Sequence, residues 1–175
     1  MSQRIVLTFT SPDRPGIVEE ITSVVVRHGG NWEESRSARL AGEFAGLALV
    51  TAPTEHVDAL RNELDQLSQK NIQVRTESTN EVPSPTTGQS MHLTCEGADH
   101  EGIVRPLTAA LSQLRINVDD MATSIKPAPT TGTPLFYLEC NLRAPADCDL
   151  DQLEQKLAEL ETELDVQIEL AGVKA

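Results

Sequence analysis

Apolar and polar residues alternate with period two at the start of the chain. Ile5, Leu7 and Phe9 are separated by Val6 and Thr8, which predicts a strand with two distinct faces. Met91, Leu93 and Cys95 repeat the pattern. A helical period follows each strand. Ile17, Val18, Ile21, Val24, Val25 and His28 form one apolar stripe, as do Ile103, Val104, Leu107, Leu111 and Leu114. The β-branched run Val24-Val25-Val26 lowers helix propensity locally, whereas Ala110-Leu111-Ser112 at the matching place favours a helix. Gly29-Gly30 predicts a left-handed helix end. Strands over 31–41 and 43–52 then flank a tight hairpin at Ala41-Gly42-Glu43. In the second half the hairpin is longer. Its Pro-rich tip from Pro127 to Pro134 cannot pair as a central strand and reads as a loose excursion or a contact arm.

A second helix is predicted from Val57, Leu60, Leu64 and Leu67, and again from Leu150, Leu153, Leu157, Leu160 and Leu164. The latter spacing also fits a short coiled coil, but a helix lying on a sheet explains it without a partner. Ile72 with Val74, then Val166 with Ile168, mark a closing strand in each half. The order βαββαβ occurs twice. It predicts an α+β fold of two tandem ferredoxin-like modules, each an antiparallel sheet with two helices on one face.

The repeat is visible in the residues themselves. At an offset of 86, six positions between 13 and 31 are identical: Asp13/Asp99, Gly16/Gly102, Ile17/Ile103, Val18/Val104, Thr22/Thr108 and Asn31/Asn117. About one match would arise by chance at average residue frequencies. Residues 78–89 read S-T-N-E-V-P-S-P-T-T-G-Q, too poor in apolar groups to bury a core. The expected division is a first module at 1–78, a linker at 79–89 and a second module at 90–175.

Charge narrows the function classes. The 175 residues carry 14 Lys and Arg against 27 Asp and Glu, a formal net charge of -13. The excess sits mostly in the second half, since residues 1–88 hold 8 basic and 12 acidic groups, net -4, and residues 89–175 hold 6 and 15, net -9. An acidic chain is a poor partner for a phosphate backbone, so direct nucleic-acid binding is not expected. The acidity serves solubility or faces a basic partner protein. No apolar run approaches the roughly 18 residues of a membrane span, and no leader pattern opens the chain. Cys95, Cys140 and Cys148 lack metal or C-x-x-C spacing, which suits reduced thiols in a cytoplasm. No catalytic constellation, metal site or cofactor motif stands out.

The positions shared between halves gather at two places. One is the turn after the first strand: Asp13-Arg14-Pro15-Gly16-Ile17 and Asp99-His100-Glu101-Gly102-Ile103. The other is Asn31 or Asn117, at the start of the next strand. As structure alone, Asp-x-x-Gly is a capped helix start and Asn a turn residue. As a site, a helix N-terminus offers bare N–H groups to a carboxylate, Asp accepts from an ammonium, and Asn both donates and accepts. Trp32 reads as packing or as a pocket wall.

These residues resemble ACT domains, small regulatory modules that bind amino acids, commonly where two modules pack together. The resemblance rests on the D-R-P-G-I turn and the G-x-N-W step of the first half, and covers nearly the whole chain as two copies. Lys126 to Phe136 resembles the long hairpin of the glycine cleavage system repressors, two-module proteins without a DNA-binding domain. The resemblance implies a non-enzymatic cytoplasmic sensor of a small amino acid, glycine or serine. It also implies a protein partner such as a transcriptional activator, and modules that pack together, within a chain or as a homodimer. The implied ligand-binding residues are Asp13, Arg14, Gly16, Ile17 and Asn31, then Asp99, Gly102, Ile103 and Asn117. His100-Glu101 departs from the motif where the first copy has Arg14-Pro15. Two rivals remain: a regulatory subunit of a biosynthetic enzyme, and, more remotely, an acylphosphatase-like enzyme using Arg14 and Asn31.

Overall fold

The computed structural model describes residues 1–79 and 88–172. The chain divides into two compact units, each with its own four-stranded sheet. In the first, β1 (Ser2–Pro12) leads into α1 (Ile17–Arg27), β2 (Asn31–Leu40), β3 (Glu43–Pro53), α2 (Val57–Gln66) and β4 (Gln73–Ser78). The strand order is β2-β3-β1-β4, all pairs antiparallel. The second unit repeats it with β5 (Gly88–Ala98), α3 (Val104–Gln113), β6 (Asn117–Pro127), β7 (Pro134–Pro145), α4 (Leu150–Leu164) and β8 (Val166–Gly172), ordered β6-β7-β5-β8. Both are ferredoxin-like.

The period-two pattern works because one sheet face is covered by helices. Ile5, Leu7 and Phe9 are buried together with Ile21 and Val24 of α1 and Leu60 of α2 in one core. Leu93, Leu107, Leu142, Leu153 and their neighbours make the second core. The leucine stripe of α4 is therefore spent within its own unit: Leu153, Leu157, Leu160 and Leu164 are all buried there. Among the described residues no helix is long and apolar enough to cross a membrane.

Several details differ from the expected pattern. Val18 is 40% exposed and stands outside the α1 core stripe. Ala41 leaves the strand and forms, with Gly42, a two-residue turn with φ of 50° and 86°, the backbone sign of a type I′ hairpin. Gly88 and Gln89 belong to β5, paired with Pro145 and Ala144, rather than to a linker; positions 80–87 of that stretch lie outside the described residues. The Pro-rich hairpin tip is closed, not loose. Pro127 and Pro134 are register partners on β6 and β7, and Ala128 N–H donates to the Thr133 carbonyl at 2.8 Å. Pro134 is tolerated in a central strand because it is the first residue of it.

Candidate functional site

The turn from β1 into α1 is shaped by Gly16, whose φ of 92° places it in the left-handed region. A residue with a side chain is strained there. Gly102 holds the same φ of 92° in the second unit. Neither α1 nor α3 receives a side-chain cap. Asp13 thus does not play the capping role its position allows. Where the chain does cap a helix with aspartate, it uses Asp149, which accepts from Gln152 N–H at 3.0 Å at the start of α4. The first turn of α1 thus has no side-chain cap, at the positive end of the helix dipole.

A cavity of about 240 Å³ opens at this turn, lined by Asp13, Arg14, Gly16, Ile17, Val18, Glu19 and Phe44. The backbone around it is fixed by the neighbouring hairpin. Asp13 N–H donates to the Gly42 carbonyl at 2.8 Å, and in the second unit Asp99 N–H donates to the Pro134 carbonyl at 3.1 Å. Asp13 Oδ2 is 3.7 Å from an Arg39 guanidinium nitrogen. Phe44 stacks obliquely on Phe9 at 6.0 Å between ring centroids, and Phe9 meets Trp32 at 6.5 Å. Trp32 is therefore a packing residue of the core edge, and Phe44 is the aromatic that walls the cavity.

Arg14 is engaged in an ionic knot. Its guanidinium donates to Glu20 Oε1 at 2.7 Å and to the Pro15 carbonyl at 3.3 Å. It also reaches the Lys70 carbonyl at 3.5 Å. Lys70 Nζ lies 2.9 Å from Glu20 Oε2. Lys70 and Arg14 together hold the Glu20 carboxyl below the usual carboxylate range. The turn is thereby tied to the far end of α2. In the second unit His100 occupies Arg14's place, with Nδ1 3.1 Å from the Glu101 carbonyl and Nε2 2.8 Å from the Leu164 carbonyl.

Asn31 lies elsewhere. It pairs with Thr51, which pairs with Arg4, eight positions back along β1 from Pro12. That is about 26 Å of strand, so Asp13 and Asn31 of one unit do not share a pocket. Asn117 occupies the same end of its own unit and lines a separate cavity of about 380 Å³ with Arg115 and Arg143. Both asparagines precede a β-bulge, at Glu33 and at Asp119. The bulged carboxylate meets an arginine in each case: Arg4 to Glu33 at 3.0 Å, Arg143 to Asp119 at 2.7 Å. Asn117 Nδ2 also donates to Asp119 at 2.8 Å, and Arg143, then Asn117, hold the Asp119 carboxyl low.

The structure thus gathers Asp13, Arg14, Gly16 and Ile17 in one place, and repeats the turn at Asp99, Gly102 and Ile103. It separates both from the asparagines. The acylphosphatase arrangement fails on the same ground: Arg14 is engaged with Glu20, and Asn31 is at the other end of the sheet. Val18, Glu19 and Phe44 also line the cavity; Val18 reads from the sequence as part of a core stripe, and nothing in residue type marks Glu19 or Phe44. The bulge carboxylates had a signal, an acidic residue two places after each Asn.

Residues 3–77 match the family model of the ACT domain. The glycine cleavage system transcriptional repressor of Escherichia coli (strain K12) is 26% identical over 164 residues, covering 93% of this chain and 86% of that protein. The repressor of the same description from Shigella flexneri matches to the same extent. Among solved structures, an unknown protein from Galdieria sulphuraria superposes with a TM-score of 0.84 at 29% identity, over 99% of this chain and 100% of its own. A proposed glycine cleavage system transcriptional repressor superposes with a TM-score of 0.73 at 26% identity, over 100% and 99%.

Proposed function

We propose that this chain, whose residues 3–77 match the ACT domain and which over nearly its whole length is similar to the glycine cleavage system transcriptional repressor, is a non-enzymatic cytoplasmic sensor of a small amino acid that regulates transcription through a partner protein. The observation that carries the reading is the uncapped start of α1 behind left-handed Gly16, facing a cavity of about 240 Å³ with Asp13 on its rim. The ligand carboxylate takes the open N–H groups of Ile17 and Val18. Its ammonium takes Asp13. The likeness to the glycine cleavage system repressor favours glycine or serine as the ligand. Asn31 contributes only when it arrives from a second copy of the chain, which couples ligand binding to dimerisation. The acidic second half suits a basic partner surface, and a net charge of -13 disfavours direct contact with a phosphate backbone.

Thermal unfolding against a panel of amino acids tests the reading. A ligand held by the native state alone, at 100 times its dissociation constant, stabilises by about 2.7 kcal/mol. Glycine or serine is expected to raise the melting temperature, larger amino acids not, and Asp13→Ala to remove the effect. No response to any amino acid at millimolar concentration would refute it. Copurification with a DNA-binding regulator, rather than with a biosynthetic enzyme, tests the transcriptional part.

A further inference from the structure

We propose that His100 is a protonation-dependent fastener of the second unit's Asp99–Gly102 turn, giving that unit a pH response that Arg14 denies to the first. The argument begins with the equivalence of the two residues at the offset of 86. Arg14 donates to the carbonyl of the next residue, Pro15, and to that of Lys70. His100 contacts the carbonyl of the next residue, Glu101, and that of Leu164. Lys70 ends the 3-10 turn after α2 and precedes left-handed Asn71; Leu164 ends α4 and precedes left-handed Asp165. Each cation therefore staples the turn after the first strand to the C-terminal end of the second helix.

The chemistry of the two staples differs. A carbonyl oxygen only accepts, so two carbonyls at 3.1 and 2.8 Å require both ring nitrogens of His100 to donate. Only the imidazolium has two N–H groups; the neutral ring satisfies one carbonyl and turns a lone pair on the other. A guanidinium keeps its protons throughout the physiological range. The rest of the knot is also rewritten. Where the first unit has Glu20 and Lys70 around Arg14, the second has Pro106 at the position of Glu20 and the Leu164 carbonyl at that of Lys70. No carboxylate from α3 replaces Glu20, so the staple rests on its two carbonyl bonds.

The groups acting on the ring favour its charged form. The Leu164 carbonyl lies at the negative end of the α4 dipole. Asp99 of the same turn and Asp165 at the end of α4 add attraction, and partial burial opposes it. The carbonyl bonds, Leu164 first and Glu101 second, push the His100 pKa above its ordinary value of 6.5. A raised folded pKa means the fastening is complete below 6.5 and is lost as the pH rises through the folded value. The turn it fastens is the ligand turn on the reading given above, and to that extent the functional consequence rests on it.

The test is a ring ¹⁵N NMR titration of His100 in the full chain, native and in urea. Both ring nitrogens should carry protons below pH 6.5, and the native pKa should lie above the urea value; a native pKa at or below it overturns the proposal. His100→Arg should keep the second unit's melting temperature flat from pH 6 to 8, where the parent loses stability. His100→Gln, whose donors sit on one nitrogen and cannot span both carbonyls as the two ring nitrogens do, should match the parent at pH 8 and fall below it at pH 6. A parent whose stability does not decline relative to His100→Arg also overturns it. Glycine and serine, each titrated at pH 6 and pH 8, separate the two claims. Binding at neither pH, with the His100 shift present, upholds the fastener and refutes only the ligand reading.

Discussion

Gly46 of β3 lies beneath the ring of its register partner Phe9 on β1, so closely that a methyl group at Gly46 would stand 2.5 Å from Phe9 Cζ. The same methyl would lie 2.8 Å from the Arg36 carbonyl and the Ser37 side chain of β2. The missing side chain lets the ring lie across the sheet and link Phe44 at the cavity wall with Trp32. The equivalent register pair in the second unit is Cys95 with Leu138, a small residue facing a large one with the sizes exchanged between strands. Gly46→Ala should destabilise the first unit by about 1–3 kcal/mol through overpacking. Gly46→Leu should cost more, and Phe9→Cys added to it should recover part of the loss, a non-additivity that urea denaturation of the single and double variants will measure.

Gly16 and Gly102 share a φ of 92° but have open space around them. The nearest atom to a Cβ at Gly16 is Arg14 Nη1 at 4.0 Å, and a Cβ at Gly102 meets nothing within 4 Å. Alanine at either place is disfavoured by the backbone alone, at about 1–2 kcal/mol. The two substitutions should therefore cost the same within error when each is measured by chemical denaturation. A much larger cost at Gly16 would mean that the Arg14 knot cannot tolerate the added atom.

The fold was legible where burial imposes a period. Ile5, Leu7 and Phe9 alternate because one sheet face is covered and the other is not, and the repeat at an offset of 86 doubled each such signal. The turn at Gly16 was legible for the same reason, since both copies need left-handed backbone there. What pattern does not carry is distance. Asp13 and Asn31 are conspicuous in the same way, yet α1 runs back along the sheet between them, and 11 residues of helix span about 16 Å. The long-range partners of Arg14 and His100 lie 56 and 64 residues further on and are backbone carbonyls, which leave no trace in residue type. The bulges at Glu33 and Asp119 shift the register by one residue, which hydrophobic alternation cannot report on an edge strand as exposed as β2.

The knot at Glu20 predicts a pH effect of opposite sign to that of His100. Its carboxyl is held below the ordinary value of 4.5 by Lys70 and Arg14. A depressed folded pKa means the contribution is present above 4.5 and is lost as the pH falls through the folded value. Arg14→Ala should move the Glu20 pKa upward, and Lys70→Ala should move it further, since Lys70 is the larger influence. Carboxyl ¹³C titration will show the order. Arg14→Ala should also loosen the turn, read as faster amide exchange at Ile17 and Val18.

The three thiols should separate by reactivity. Cys95 and Cys140 are 2% and 1% exposed in the second core, and Cys148, just before α4, is half-buried. Burial pushes all three thiols up, Cys140 to about 11. With a pKa near 11 about one Cys140 in a thousand is thiolate at pH 8, and the reagent must also reach it. An aromatic disulfide reagent at pH 8 should therefore modify one thiol per chain quickly and two only as the second unit opens. Cys148→Ser should remove the fast phase, and urea should merge the slow thiols into it. Two fast thiols in the native protein would show that β5 and β7 do not enclose Cys95 and Cys140 as described.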